Sequence, residues 1–247
     1  MPGLDWLTAR PVAHRGLHDA ANGVIENTAS AFAAAIAGNY AIECDLRMSA
    51  DGEAMVYHDA ALGRVASGSG SLAEMKAADL QRMPFRQTGD RMLTLGELCD
   101  LVGGHVTLLL EMKSSFDGDR RLVMRVAEVL KKYAGPVAAM SFDPDQVTAL
   151  RDLAPGLPRG IVAERWYTHA EWPGLSTGGR RVLRNLLHSF RTRPHFVAYS
   201  VRDLPATAPL LARYLFGLPL LTWTVRNESD RRRTRWVDQI IFEGFRP

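Results

Sequence analysis

The chain has 247 residues, a common length for a single α/β barrel and long for one β-sandwich. Apolar residues make up 47% and charged residues 23%, which excludes a globally disordered chain. The formal net charge is only +3. Its one dense basic run, Arg231 to Arg235, is typical of a solvated helix face, so we expect no nucleic-acid partner.

Cysteine usage and hydropathy indicate the cellular compartment. The two cysteines, Cys44 and Cys99, have no paired spacing, which favours a reducing environment over a disulfide scaffold. The N-terminus has no apolar core of signal-peptide length, and no apolar run approaches the roughly 18–20 residues of a membrane span. We expect a cytoplasmic protein without stable membrane insertion and without a further C-terminal domain or anchor, and leave a homo-oligomer open.

Short apolar or β-branched runs alternate with helical patterns along the chain. Eight runs are predicted as strands: Pro11–Arg15, Ala41–Met48, Val106–Met112, Val137–Phe142, Arg159–Glu164, His195–Ser200, Leu220–Val225 and Gln239–Glu243. The clearest helices are Glu26–Ala37, Arg120–Tyr133 and Pro144–Leu153. Strand followed by helix predicts a parallel sheet, and eight such units favour one (β/α)8 TIM barrel as a single domain over residues 1–247.

One interval breaks this rhythm. About 57 residues (49–105) separate the second and third predicted strands, more than a crossover needs. The interval holds an additional short strand, Ala54–His58, then a Gly/Ser loop and a helix near Leu95–Val102. Long excursions in compact domains tend to be functional, so we predict an insertion that shapes the substrate site or forms a lid.

Charged and imidazole groups follow several predicted strands, where a barrel builds its active site. They are His14, Arg15, Glu43, Asp45, His58, Glu111 and Lys113, while the seventh strand holds Trp223 and Gly16 permits close backbone approach. Glu43 and Asp45 are two residues apart and share a strand face, as do Glu111 and Lys113. Because buried unpaired charges are costly, these groups must form ion pairs, bind metal or face a wet pocket.

The residue types indicate phosphoester chemistry. The three carboxylates Glu43, Asp45 and Glu111 offer oxygen ligands that suit Mg²⁺ or Ca²⁺ better than Zn²⁺. Two histidines exchange protons near neutral pH, and Arg15 and Lys113 are cations that fit phosphate oxygens. Together these groups describe phosphoester cleavage better than acyl or hydride transfer.

Each group alone also has a structural explanation. The alternatives are ion pairs of Glu43 or Asp45 with Arg15 or Arg47, a Glu111–Lys113 salt bridge, a turn at His58-Asp59, a helix start at Glu26-Asn27-Thr28 and a core position for Trp223. Their coincidence at one topological face favours the site. The remaining histidines, His18, His105, His169, His188 and His195, are predicted to be structural, and Glu164 is left open as a pocket residue.

These motifs resemble the glycerophosphodiester phosphodiesterase family. The matching segments, in order, are His14-Arg15-Gly16, Glu26-Asn27-Thr28, Glu43-Cys44-Asp45-Leu46-Arg47, Asp51-Gly52, Val56-Tyr57-His58-Asp59, Glu111-Met112-Lys113, Ser141-Phe142 and Thr222-Trp223-Thr224-Val225 with Asn227. The resemblance spans nearly the whole chain and implies a TIM barrel with a segment inserted after its early strands.

The resemblance also implies roles. His14 and His58 would be the acid/base pair, and Glu43, Asp45 and Glu111 would bind one Mg²⁺ or Ca²⁺. Arg15 and Lys113 would contact phosphate, Glu26 and Asn27 would support His14 and the site, and Trp223 would face the glycerol end. The implied reaction is hydrolysis of a glycerophosphodiester, such as glycerophosphocholine or glycerophosphoethanolamine, to sn-glycerol 3-phosphate and an alcohol. Which histidine is the base stays open.

Two departures and three alternatives accompany the resemblance. Ser49 stands where the family commonly has threonine, and Glu243 where its last strand commonly ends in Thr-Asp. A phospholipase-D-like enzyme of the same barrel would need an aromatic rim, for which the candidates are Trp166-Tyr167 and Trp172-Pro173. A non-catalytic phosphate-binding barrel would have lost a histidine or carboxylate, and all five are present. A phosphotriesterase-like barrel would need a second histidine where Gly16 stands.

Overall fold

The computed structural model describes residues 3–167 and 174–247. Eight parallel strands close into a barrel, because the first strand pairs with both the second and the last. In barrel order they are β1 (Val12–Ala13), β2 (Ala41–Met48), β4 (Leu108–Met112), β5 (Val137–Ser141), β6 (Arg159–Ala163), β7 (Phe196–Ser200), β8 (Leu220–Val225) and β9 (Gln239–Phe242). The predicted TIM barrel is confirmed, and an additional strand, β3 (Ala54–Val56), pairs antiparallel with β2.

The strand bounds differ from the prediction mainly at their ends. β1 stops at Ala13 because Arg15 and Gly16 both have positive φ, 56° and 80°, which turns the chain out of the barrel wall. Gly16 is required there for a second reason: a Cβ on it would lie 2.9 Å from the backbone of Ala31. β3 ends at Val56, so His58 lies in a loop and not on a strand as predicted.

Helices separate most of the barrel strands. They are α1 (Asp5–Thr8), α2 (Ala29–Ala37), α3 (Ala77–Arg82), α4 (Leu95–Val102), α5 (Arg121–Leu130), α6 (Pro144–Leu153), α7 (Thr177–Arg184), α8 (Ser189–Thr192), α9 (Thr207–Tyr214) and α10 (Glu228–Arg231). The predicted start of α2 at Glu26 is wrong. Asn27 has a φ of 57°, and the Thr28 side chain caps the helix by accepting from the backbone N–H of Ala31.

Two apolar layers place the charged groups. The barrel interior is filled by residues that recur at every second strand position: Val12, Ala41, Leu109, Ala138, Met140, Val162, Ala198, Leu221 and Ile241. The alternate positions, such as Cys44 and Leu110, pack outward beneath the helices. Since Ala41 faces inward, a period of two also turns Glu43 and Asp45 into the barrel, above its apolar plug.

The segment that follows β2 has a small core of its own. Its buried side chains are Met55, Tyr57, Leu62, Ala66, Leu72, Leu80, Phe85 and Met92, packed with Ile25. α4 instead joins the barrel core through Leu95 and Leu98. The excursion beyond β3 is therefore a packed unit attached to the barrel beside β2. In the described residues, no helix combines the length and apolar character needed to cross a membrane.

Candidate active site

Three buried carboxylates meet at the C-terminal ends of β2 and β4. Glu43, Asp45 and Glu111 each offer one oxygen, and these atoms all lie within 4.8 Å of one another. The neighbouring strands run parallel with Asp45 opposite Glu111, so strand register alone brings the two together. The side chains predicted as metal ligands therefore share one cluster, and their residues are at most 8% exposed.

The charges in this cluster are unevenly compensated. The Lys113 ammonium lies 2.9 Å from Asp45 Oδ1 and 2.5 Å from Glu111 Oε1. Burial favours the neutral form of Asp45, but Lys113 and Arg15 outweigh it and hold its pKa well below the usual range. Burial, together with the charges of Asp45 and Glu111, raises the pKa of Glu43 well above its usual range.

Glu43 also has an unsatisfied atom. Its Oε1 is buried and has no hydrogen-bond partner among the residues that the structure describes, whereas its Oε2 accepts from the backbone N–H of Arg15 at 3.0 Å. A hard divalent cation would satisfy this oxygen and relieve repulsion among three acidic groups. The donor set, three carboxylates and no thiolate, thus fits Mg²⁺ or Ca²⁺.

Arg15 and Asn27 brace the cluster. The Arg15 guanidinium donates to Glu26 Oε1 at 2.7 Å, and its Nε lies 3.2 Å from Asp45 Oδ2. The Asn27 amide donates to Asp45 Oδ2 at 2.9 Å and accepts from the Asp45 backbone N–H at 3.3 Å. Within residues 3–167 and 174–247, Glu26 and Asn27 form no hydrogen bond with His14. Their contacts support Arg15 and Asp45 instead.

His14 bridges the cluster and the last strand. Its Nδ1 lies 2.7 Å from Glu243 Oε2, and its Nε2 lies 4.0 Å from Glu43 Oε2. Burial lowers the pKa of His14 to about 4, against the raising effect of the hydrogen bond with Glu243. Burial favours the neutral form of Glu243, but the hydrogen bonds with His14 and Arg226 outweigh it and hold the pKa of this carboxyl well below its usual range. The carboxylate is therefore ionised. An ionised acceptor requires the proton on Nδ1, which leaves Nε2 with its lone pair.

His58 has the same kind of support. Its Nδ1 lies 2.8 Å from Asp59 Oδ1, while its backbone carbonyl accepts from Arg47 Nε at 2.6 Å. His58 is close enough to Asp45 for its charge to lower the pKa of that carboxyl. The two predicted acid/base histidines therefore flank one carboxylate cluster, and each has a carboxylate on its Nδ1.

Sequence reasoning missed the group that ties these supports together, Arg64. Its Nε donates to Asp59 Oδ2 at 2.7 Å, and its two terminal nitrogens donate to Glu26 at 2.9 and 2.6 Å. Arg64 belongs to the excursion and links the support of His58 to that of Arg15. A single arginine beside a Gly/Ser loop carries no sequence signal for this position.

The remaining candidates lie at varied distances from this cluster. Trp223 is half-buried and donates from Nε1 to the carbonyl of Ala198 at 3.2 Å. Its ring meets Phe142 edge-on, with the ring centroids 5.4 Å apart, and both pack against the apolar interior of the barrel. His18, predicted to be structural, has a ring nitrogen within 4.8 Å of His14 and Glu243 atoms. His188 and His195 make local contacts elsewhere. His169 and Trp172-Pro173 lie outside the described residues.

The structural explanations that competed with the site are partly present as well. Lys113 does pair with Glu111, and Arg15 does pair with Asp45. Arg47 Nε donates to the His58 carbonyl at 2.6 Å. These ion pairs leave the cluster able to bind a cation, because the buried Oε1 of Glu43 has no hydrogen-bond partner among the described residues.

A closed barrel with three clustered carboxylates, two braced imidazoles and two cations at the C-terminal strand ends defines a barrel enzyme equipped for phosphoester hydrolysis. Comparison with known sequences is more specific. The chain belongs to the glycerophosphoryl diester phosphodiesterase family, whose defining pattern matches residues 14–245. The resemblance noted in the motifs is thereby confirmed, and with it the enzyme class, a phosphoric diester hydrolase.

Individual relatives match this chain over most of its length. A glycerophosphodiester phosphodiesterase of Caldanaerobacter subterraneus subsp. tengcongensis is 28% identical over 249 residues, covering 93% of this chain and 92% of the relative. One of Bacillus subtilis is 28% identical over 245 residues, covering 90% and 78%. Among solved structures, an Oleispira antarctica phosphodiesterase in complex with the product sn-glycerol-3-phosphate superposes with a TM-score of 0.76 at 19% identity, covering 96% of this chain and 94% of that one.

Proposed function

We propose that this enzyme hydrolyses glycerophosphodiesters of the glycerophosphocholine and glycerophosphoethanolamine type to sn-glycerol 3-phosphate and an alcohol, and that it requires Mg²⁺ or Ca²⁺. The observation that carries the proposal is the carboxylate cluster with the unsatisfied Glu43 oxygen, flanked by His14 and His58. Product binding by the Oleispira antarctica phosphodiesterase supports the same product here.

Glu43, Asp45 and Glu111 would hold the cation. When bound, it supplies electrophilic assistance at the phosphoryl group and offsets negative charge. The chain's own cations act on the same group: Lys113 and Arg15 lie beside the cluster, where they can contact the phosphate oxygens. Carboxylates already orient the Lys113 and Arg15 side chains, so these two groups need little reorganisation when substrate binds.

The histidines would move the protons. With Nδ1 of each ring held by a carboxylate, Nε2 is the nitrogen available to the substrate. One Nε2 accepts a proton from the attacking glycerol hydroxyl or water, and the other ring, as an imidazolium with protons on both nitrogens, donates its Nε2 proton to the leaving alkoxide oxygen as the bond between that oxygen and phosphorus breaks. Where the glycerol hydroxyl attacks, water then opens the resulting cyclic phosphate to give sn-glycerol 3-phosphate. Trp223 and Phe142 form an apolar wall that suits the carbon face of a glycerol unit.

The test is release of sn-glycerol 3-phosphate from a panel of glycerophosphodiesters, with lysophosphatidylcholine as a lipid substrate for comparison. Release from the small diesters supports the proposal. The phospholipase-D-like alternative keeps one observation in its favour, the 58% exposed Trp166 after β6, while Tyr167 is buried. Turnover of the lipid alone would favour that alternative.

Two expectations from the sequence accompany this proposal, with a homo-oligomer left open: a cytoplasmic location, and a single domain over residues 1–247 with an insertion at about 49–105. The packed interior of the excursion supports the insertion. Arg64 suggests its purpose, because this arginine extends from the excursion to the supports of both His58 and Arg15. We propose that the excursion orders the site.

A further inference from the structure

The outer wall of the barrel carries a second concave feature, away from the active site. α7, α8 and α9 border a groove of about 1340 Å³. Among the described residues that line it, none belongs to the candidate active site. The groove is larger than the roughly 300–1,000 Å³ of typical small-molecule pockets, so a single small metabolite would leave most of it unfilled.

Large apolar side chains project from this groove. Phe190 is 91% exposed, Phe216 67%, Leu187 56% and Leu211 49%. Leu215, next to Phe216, is 69% exposed. Scattered exposed apolar residues are ordinary, but a cluster of this size on one wall marks an interaction surface.

Arginines surround the same groove. The arginines that line it are Arg165, Arg180, Arg181, Arg184 and Arg193. In the part of the chain that the structure describes, none of the five forms an ion pair with a carboxylate. Nearby arginines outside the groove do: Arg191 pairs with Asp145, and Arg213 with Asp238. This surface therefore combines exposed apolar groups with a cluster of arginines, and we call it the basic apolar face.

The positive charge of this face and its outward-pointing side chains indicate which kind of partner it binds. A symmetric dimer through this face would bring two rims of like-charged arginines together, which opposes self-association. A groove built for an amphipathic helix would hold its apolar residues on the floor, whereas Phe190 and Phe216 extend outward. Projecting aromatic and aliphatic groups with arginines beside them suit a lipid surface, where rings enter the acyl boundary and guanidinium groups stay at the phosphates.

We propose that the basic apolar face docks the enzyme reversibly onto membranes that contain anionic lipid. Arg165 and Trp166 follow β6 at the same end of the barrel as the candidate active site, and Trp166 is 58% exposed. Phe190 and Phe216 precede β7 and β8 at the other end of the same wall, so docking would lay the side of the barrel against the membrane. The interaction does not depend on the proposed reaction, because the residues involved are not part of the catalytic machinery.

The experiment is co-sedimentation of the protein with vesicles of phosphatidylcholine alone or mixed with phosphatidylglycerol. We expect binding to the mixed vesicles to be at least about tenfold tighter, and to weaken as salt is raised. The pair Arg181→Glu and Arg184→Glu should weaken binding by more than about tenfold, and Phe190→Ser should weaken it at any anionic lipid content. Hydrolysis of a soluble glycerophosphodiester should be unchanged in all these variants.

The matched control is the pair Lys131→Glu and Lys132→Glu. Both lysines are exposed after α5, on another wall of the barrel, and the substitution changes the net charge equally. Equal loss of binding in this control would reduce the effect to net charge and overturn the proposal. So would absence of binding to any vesicle, a dimer that only the arginine variants dissociate, or binding of an acidic amphipathic peptide in place of the mixed vesicles.

Discussion

Arg64 offers the sharpest test of how the excursion serves the active site. Its guanidinium makes ion pairs with Asp59 and Glu26, and its side chain is 47% exposed. Exposed ion pairs contribute about 0–1 kcal/mol each, so Arg64→Ala should lower the free energy of unfolding by only about 1 kcal/mol. Its effect on catalysis should be larger, because Asp59 positions the ring of His58 at 2.8 Å.

A misplacement of a reacting group by about 1 Å costs on the order of 100-fold in rate. We therefore expect kcat of Arg64→Ala to fall about 10- to 100-fold, with KM changing much less. Asp59→Asn should cause a similar loss, and the double variant should lose little more than either one, since both act through His58. The assay is steady-state release of sn-glycerol 3-phosphate, with unfolding in urea measured in parallel.

Arg91→Ala is the matched control. Arg91 also makes a two-point ion pair, with Glu97, and its side chain is 51% exposed, but the pair lies away from the histidines. It should cost similar stability and leave kcat unchanged. A kcat for Arg64→Ala within twofold of the parent enzyme, or an equal loss in Arg91→Ala, would refute the positioning role.

Three further predictions concern the site and the core. Burial already raises the pKa of Glu43, so replacing its carboxyl in Glu43→Gln should leave the protein at least as stable as the parent when EDTA is present. Activity with metal should fall about 100-fold or more. Glu243→Ala removes the acceptor on His14 Nδ1 and should lower kcat about 10- to 1,000-fold while the protein stays folded, as circular dichroism would show. Burial lowers the pKa of His188 from 6.5 to about 4, so its contribution to stability is complete above about pH 6.5 and is lost as the pH falls toward 4. That loss amounts to about 3 kcal/mol, and unfolding of His188→Asn should lack it; equal pH dependence in the two proteins would contradict the assignment.

The barrel and the carboxylate cluster were predictable because both follow from periodicity. Alternation by two residues turns Glu43 and Asp45 to the same side, and the rule that active sites lie at strand ends places them beside Glu111. Neither inference needs knowledge of distant contacts. The eight strands were recognisable for the same reason, with errors only at their ends.

The contacts that orient the histidines were not predictable in this way. Glu243 reaches His14 only because the barrel closes, which joins residues 229 positions apart. Arg64 reaches Glu26 and Asp59 from an irregular loop whose course has no period. Arg15 and Asn27 both have positive φ, a conformation that arginine rarely adopts and that the apolar pattern does not signal. It therefore ends β1 earlier, and starts α2 later, than the pattern predicts.

The central claim is that a metal held by the three carboxylates and the imidazole of His14 act together in phosphodiester hydrolysis. The most direct measurement is sn-glycerol 3-phosphate release by the parent enzyme and by His14→Ala, each after EDTA treatment and after return of Mg²⁺ or Ca²⁺. We expect EDTA to abolish release, one of the two ions to restore it in the parent enzyme, and neither ion to restore it in His14→Ala. Release that persists in EDTA and in His14→Ala would contradict this account.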